Sequence, residues 1–460
     1  MPTQCSAEQL EFSCVEGRRV VAAFDGGTVS SDAGALLLGR TDAAIGLLDR
    51  LAACFIDERD PGSIEHTVRT LVGQRVFGLA LGYEDLNDHE QLRHDPVFGA
   101  LAGKLTSGRA RCAPLAGKST LNRLELHPLE QASRYHKIRP DATAIERLFV
   151  ELFLEAHARP PAQIVLDLDA TDDPLHGHQE GRFFHGYYDG YCYLPLYIFC
   201  GEHLLVAKLR RANIDGAAGA REEIERVIAQ IRRRWPTTRI LLRADSGFAR
   251  EELMGWCEQN SVDYLFGLAR NTRLQRAIGA ELQAAAQESR ATGRPARRFK
   301  ELVYRTRKSW SRSRRVVGKA EHTGDKANPR FVVTSLPMQD FPARELYEQL
   351  YCARGEMENR IKEAQLDLFA DRLSTATFRA NQLRLWLASA AYVLMHALRR
   401  VGLAGTALAR ACANTLRLRL LKIGAVVTIS VRRVKLALSE ACPHQREFIA
   451  AYHALGAAAR

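Results

Sequence analysis

Through the first 160 residues, apolar positions recur three and four apart over 34–54, 64–82 and 142–157, the period of helices with one buried face. Gly26-Gly27, Asp60-Pro61-Gly62 and Asp95-Pro96 punctuate them as turns. At 162 the period changes. The run 162–170 (AQIVLDLDA) is short and rich in Leu, Ile and Val, which predicts a buried strand. After the Asp189-Gly190 turn signal, 191–199 and 203–209 read as strands joined tightly at Gly201-Glu202. An amphipathic helix over 220–235, a strand at 239–244 (RILLRA), a helix at 250–259, a strand at 263–268 and a helix at 272–289 follow. Three strands and then alternating helices and strands predict a mixed α/β sheet with helices packed on it. Over 290–335 the pattern breaks, and 302–304, 314–317 and 331–336 read as strands of a β-rich insertion. Helical signal resumes from 342 to about 402, and the tail holds one more strand-like run, 425–434.

Charge sharpens this picture. The chain of 460 residues carries a net +12. Residues 290–319 hold twelve basic side chains and one acid, Glu301, and 376–439 hold eleven basic residues and no acid. Clustered positive charge of this kind points to a polyanion, nucleic acid first. The ten cysteines show no CxxC pairing, as in a reduced protein that uses them as small apolar fillers. The start is polar and acidic, unlike a secretory leader. The most apolar stretch, 385–398, is too short to span a bilayer and is bracketed by Arg384, Arg399 and Arg400, so it predicts a buried helix and no membrane partner.

Two features imitate sites. Gly117-Lys118-Ser119-Thr120 resembles the end of a phosphate loop, but Cys112 stands where its first Gly belongs and no strand precedes it, so Ser119 is expected to cap a helix. His176, His178 and His185 fall in a Gly-rich segment and read as a polar loop beside a site rather than as metal ligands.

The candidate chemistry is carboxylate. Asp167 and Asp169 sit two apart near the end of the 162–170 strand, hence on one face. Asp245 directly follows RILLRA, and strand ends are where α/β sheets build sites. Farther on, Tyr351, Arg354 and Glu358 fall at about 0°, 300° and 340° around a helix, while Glu356 and Glu363 point away. Lys362 and Gln365 share the first face.

These residues resemble the DDE transposases of bacterial insertion sequences, the group whose third motif is Y-x2-R-x3-E-x6-K. DLDATDDPLHGHQ, RADSGF and YCARGEMENRIKE, with FDGGTVSSDAGALLL and GYEDLNDHEQLRHDP near the start, resemble the transposase DDE domain group 1 proteins, the thirteen-eighty family. Gln365 stands where that motif has its Lys, with Lys362 one turn away as a stand-in. The resemblance implies an RNase H-like mixed-sheet catalytic core interrupted by a β-rich insertion, preceded by a mostly helical domain and followed by a helical C-terminal region. The expected boundaries are 1–160 for a helical DNA-binding and dimerisation domain and 161–289 for the first part of the core. The basic insertion follows at 290–336, the second part of the core with the Glu helix at 337–402, and a basic C-terminal region at 403–460.

The resemblance also implies Asp169, Asp245 and Glu358 as catalytic residues and as ligands of two Mg²⁺ ions, with Mn²⁺ able to substitute, and Asp167 as the fallback for Asp169. Two such ions stabilise the attacking and leaving oxygens of phosphodiester cleavage. Tyr351, Arg354 and Lys362 are the expected DNA contacts near the scissile bond, and Arg294, Arg297, Arg298, Arg307 and Lys308 along the insertion. Trp310 carries two readings, a base-stacking aromatic or a core residue of the insertion. The implied partner is double-stranded DNA, at the element's ends and at the target, bound by a homodimer in the bacterial cytoplasm at the nucleoid. A DDE-type nuclease without strand transfer and an inactive transposase-derived DNA-binding protein are the rival readings.

Overall fold

In the computed structural model, which describes residues 8–109, 112–127, 133–324 and 326–459, the apolar runs of the middle of the chain pair into one sheet. Its strands are β1 (Gln163–Ala170), β2 (Leu196–Cys200), β3 (His203–Lys208), β4 (Arg239–Ala244), β5 (Asp263–Leu268), β6 (Ala296–Tyr304), β7 (Arg314–Thr323) and β8 (Arg330–Thr334). They lie side by side in the order β3-β2-β1-β4-β5-β8-β7-β6, and Lys326–Ala327 adds a ninth short strand against β7. β1, β4 and β5 are parallel, and the remaining pairings are antiparallel.

Alternation along β1 separates two layers. Leu166 and Leu168 pack, with Leu242 and Phe266, on the buried face of α1 (Ala220–Arg234), through Ile224, Val227 and Ile231. Glu222 and Glu223 in the first turn of α1 and Arg232, Arg233 and Arg234 in its last complement the helix dipole. On the other face, Tyr197 and Phe199 meet the helix Phe378–Ala397, where Phe199 and Tyr392 sit edge to face at 5.7 Å. That helix is buried nearly all round, as its apolar composition requires. The helices Val68–Leu81 and Ala142–Glu155, capped by Thr67 and Asp141, pack in the same core. So does Gln445–Ala458. Val29–Ser30 pairs with Ala425–Ile429, so the two ends of the chain close one helical body around Phe378–Ala397. Among the described residues no helix is long and apolar enough to cross a membrane.

Several expectations need correction. The 191–199 strand is broken at Leu194-Pro195 into Gly190–Tyr193 and β2, since proline has no N–H for the ladder. The insertion's strands are longer than their apolar cores, and they extend the main sheet beyond β5. The tail's strand is a hairpin, Ala425–Ile429 with Val434–Leu438. Gly117, not Ser119, precedes the first residue of the helix Lys118–Glu125, and Glu90 accepts from the Lys118 N–H at 2.8 Å, so the imitation phosphate loop is filled by a carboxylate. A hairpin, Leu10–Val15 with Arg18–Ala22, was not expected from the sequence.

Candidate active site

Leu168 of β1 pairs with Ala244 of β4, so the next residue on each strand, Asp169 and Asp245, emerges beside the other at the carboxyl end of the sheet. Asp245 also turns the chain. Its Oδ1 accepts from the Gly247 N–H at 2.9 Å and caps the short turn Ser246–Phe248. Capping the turn occupies only one carboxylate oxygen, because Oδ2 makes no hydrogen bond among the described residues.

The third acid comes from a helical segment with changing hydrogen-bond pattern. Leu346–Tyr351 is π-helical, Cys352–Arg354 is a 3₁₀ turn, α2 (Gly355–Lys362) is regular, and Glu363–Asp367 is π-helical again. Such bulges gather at functional sites because they re-aim side chains. Tyr351 and Arg354 line a cleft of about 610 Å³ with Asp245, Ser246, Gly267 and Arg330. The Arg354 guanidinium donates to Glu358 Oε1 at 2.7 Å, and its other nitrogen stands 3.9 Å from Asp169 Oδ1. One cation therefore links two of the three acids. Burial pushes the Asp169 carboxyl up to about 6; Arg354 opposes this, and the neighbouring Asp245 and Glu358 charges add to it. Burial also raises the Tyr351 phenol, against the pull of Arg354.

Among the described residues no three His, Cys, Asp or Glu side chains form a ready-made metal cage. The chemistry of the donors nevertheless fits a hard divalent cation. They are carboxylate oxygens, and Asp169 is crowded by like charge that a cation relieves. Arg354 is the cation standing among them.

Residues around the cleft hold this arrangement. Asp167, on the same face of β1, is buried and takes both Arg243 Nε and Nη2, at 2.6 and 2.8 Å. Arg243 Nη1 donates to the Leu350 carbonyl at 2.5 Å, which ties the Tyr351 turn to the sheet. Asp167 is thereby a structural partner of Arg243. Gly267 on β5 has no room for a side chain: a Cβ there would meet the Tyr351 hydroxyl at 2.6 Å and the Ser246 nitrogen at 2.8 Å. Neither Arg243 nor Gly267 was singled out from the sequence, although RADSGF contains the first. Gln365 donates to Asp173 Oδ1 at 2.7 Å and to the Asp172 carbonyl at 3.1 Å, so it faces the chain beyond β1. Lys362 is exposed.

Much of the insertion's charge is paired with acids, most of them from outside the insertion. Arg297 pairs with Glu321 and Glu348, Arg298 with Glu288, Lys300 with Glu281 and Arg312 with Glu258. Arg314 joins Glu251 and Glu258, Arg315 joins Glu301, and Lys319 joins Glu321. Arg294, Arg307 and Lys308 are exposed and have no acidic partner among the described residues. Trp310 is only 4% exposed. It packs edge to face on Tyr304 at 5.7 Å, with the Arg314 guanidinium 5.4 Å from its ring. Its ring is therefore a core element, unavailable to a base in this conformation, and the core reading replaces the stacking one. His176 and His178 are exposed on the loop after β1.

Residues 12–459 match the family described as transposase DDE domain group 1. Among solved structures, the chain is similar to the piggyBac transposase in a synaptic complex with hairpin DNA, at 11% identity and a TM-score of 0.40, over 85% of this chain and 80% of that one. No curated protein matches the chain significantly. With a family match across nearly its whole length, the chain belongs to the transposase DDE domain group 1 family.

Proposed function

We propose that the protein is a DNA transposase that cleaves DNA at the ends of its own insertion sequence and joins the freed ends to a target. The observation that carries this reading is the meeting of Asp169, Asp245 and the Arg354–Glu358 pair at the carboxyl end of β1 and β4. The strand order β3-β2-β1-β4-β5, with β2 antiparallel to β1 and β3, supports an RNase H-like core.

In this reading Asp169, Asp245 and Glu358 hold Mg²⁺, or Mn²⁺ in its place. When bound, the ions supply charge stabilisation at the attacking and leaving oxygens. The chain's own groups do the rest. The planar fork of Arg354 pairs with phosphate oxygens, and the Tyr351 hydroxyl holds the same strand from the cleft wall. Arg243, through Leu350, keeps both in place. Water attacks the scissile phosphorus to nick the strand, and the exposed 3′-hydroxyl then attacks the target strand. Arg294, Arg307, Lys308 and Lys362 contact the DNA backbone, and two copies act together on two ends. The presence of all three acids disfavours an inactive derivative.

The test is excision and integration of a marked copy. A plasmid bearing the gene's flanking DNA around a resistance marker, with the protein supplied separately, should yield marker insertions bounded by the element's ends. Nicking without insertion would leave a nuclease, and no DNA change at all would refute the reading.

A further inference from the structure

The segment between β1 and β2 carries aromatic side chains that the main core does not use. Asp173–Pro174, Phe183–His185 and Gly190–Tyr193 form a separate three-stranded sheet, turned at 186–189 where Asp189 adopts φ 52°. Phe183, Phe184 and Tyr191 are each nearly half exposed, and Tyr187 is 85% exposed. Single exposed aromatics are ordinary, but four within 183–191 form a patch. The patch is ordered. Phe184 faces Tyr191 across the strands, edge to face at 5.6 Å, and the Arg182 guanidinium lies 4.6 Å from the Tyr191 centroid. Tyr187 stands edge-on to Tyr188 at 5.0 Å. Its base is anchored by the Tyr193 hydroxyl, which donates to the Glu180 carbonyl at 2.5 Å.

The sheet also adjoins the acid cluster. Asp173 lies four residues beyond Asp169 in the chain. Burial, with the Asp172 and Asp169 charges added, pushes the Tyr188 phenol up to about 12. Flat, exposed rings beside an arginine, next to a site read as cutting DNA, match the chemistry of single-strand binding: every base has a π-face, and arginine takes the phosphate.

We propose that this sheet is a stacking platform for the unpaired bases of a DNA strand beside the active site, with Phe184, Tyr187 and Tyr191 taking bases and Arg182 a phosphate. The inference rests on the transposase reading and adds the surface that receives a separated strand.

The test compares three fluorescein-labelled DNAs by anisotropy with the full-length protein: a single strand, an abasic strand of equal length and charge, and a duplex. The proteins are the parent, Tyr187→Ala, and the triple variant Phe184→Ala/Tyr187→Ala/Tyr191→Ala. The parent should bind the base-bearing strand about tenfold or more tighter than the abasic one. The triple variant should bind both alike and keep its duplex affinity, and Tyr187→Ala should lose several-fold of the preference. If the triple variant does not fold, the single variant decides, since Tyr187 is almost fully exposed. Equal binding of both strands by the parent, or an unchanged preference in the variants, overturns the platform. An unchanged preference with an altered sedimentation state would mark the patch as a protein contact and also overturns it. Binding to none of the three DNAs by the parent would refute the transposase reading itself.

Discussion

At the scale of single residues, Asp169 is the sharpest point. A carboxyl held at about 6 against an ordinary 3.8 costs about 3 kcal/mol when it ionises in the folded chain. Because its folded value is raised, the favourable protonated state is complete below the unfolded value, and its stabilisation is lost as pH rises from about 4 through 6. Asp169→Asn should therefore raise the melting temperature in metal-free buffer, by an amount that grows from pH 4 to pH 7, while abolishing DNA cleavage. A variant less stable than the parent at pH 7 would contradict the crowding of Asp169 by Asp245 and Glu358. Gly267 makes the opposite kind of statement. A single methyl there meets the Tyr351 hydroxyl and the Ser246 backbone. Gly267→Ala should lower the cleavage rate by about a hundredfold, what a misplacement of about 1 Å can cost. It should leave the melting temperature within a few degrees. A full-rate Gly267→Ala enzyme would show that Tyr351 is not held where it works.

At the scale of elements, legibility followed locality. The runs before Asp169 and Asp245 were readable because a short apolar stretch ending in an acid is a local signal, and β1 and β4 lie where that signal puts them. Placing Tyr351, Arg354 and Glu358 on one face takes a uniform helix for granted; the π and 3₁₀ turns that aim them are invisible to a fixed period. The role of Trp310 was not legible, because Tyr304 and Arg314 close over it only once the insertion's hairpin forms. Trp310→Ala should accordingly cost about 3–5 kcal/mol, the range for emptying a large aromatic site. Activity should fall in step with the melting temperature. Unchanged melting with lost activity would return Trp310 to the DNA.

At the scale of the whole molecule, charge that looks like one run in the sequence is divided by folding. Arg298, Lys300, Arg312 and Arg314 meet acids from the helices Glu251–Gln259 and Gly279–Thr292, partners outside the run itself, while Arg315 and Lys319 pair with Glu301 and Glu321 of the insertion's own strands. Salt dependence separates the two groups. Arg294→Ala/Arg307→Ala/Lys308→Ala should reduce the slope of log affinity against log salt by about 0.9 for each phosphate no longer neutralised. Arg297→Ala/Arg298→Ala should leave the slope near the parent's. Equal effects would mean that the ion pairs open on DNA. The central claim is that three acids from two strand ends and one irregular helix form one metal-dependent cutting site. It is tested most directly by strand cleavage of a plasmid carrying the element's flanking DNA, with Mg²⁺ or with EDTA, by the parent and by Asp169→Asn, Asp245→Asn and Glu358→Gln. Cleavage is expected only from the parent and only with the metal; cutting in EDTA, or by any one of the three folded variants at the parent's rate, would contradict the claim.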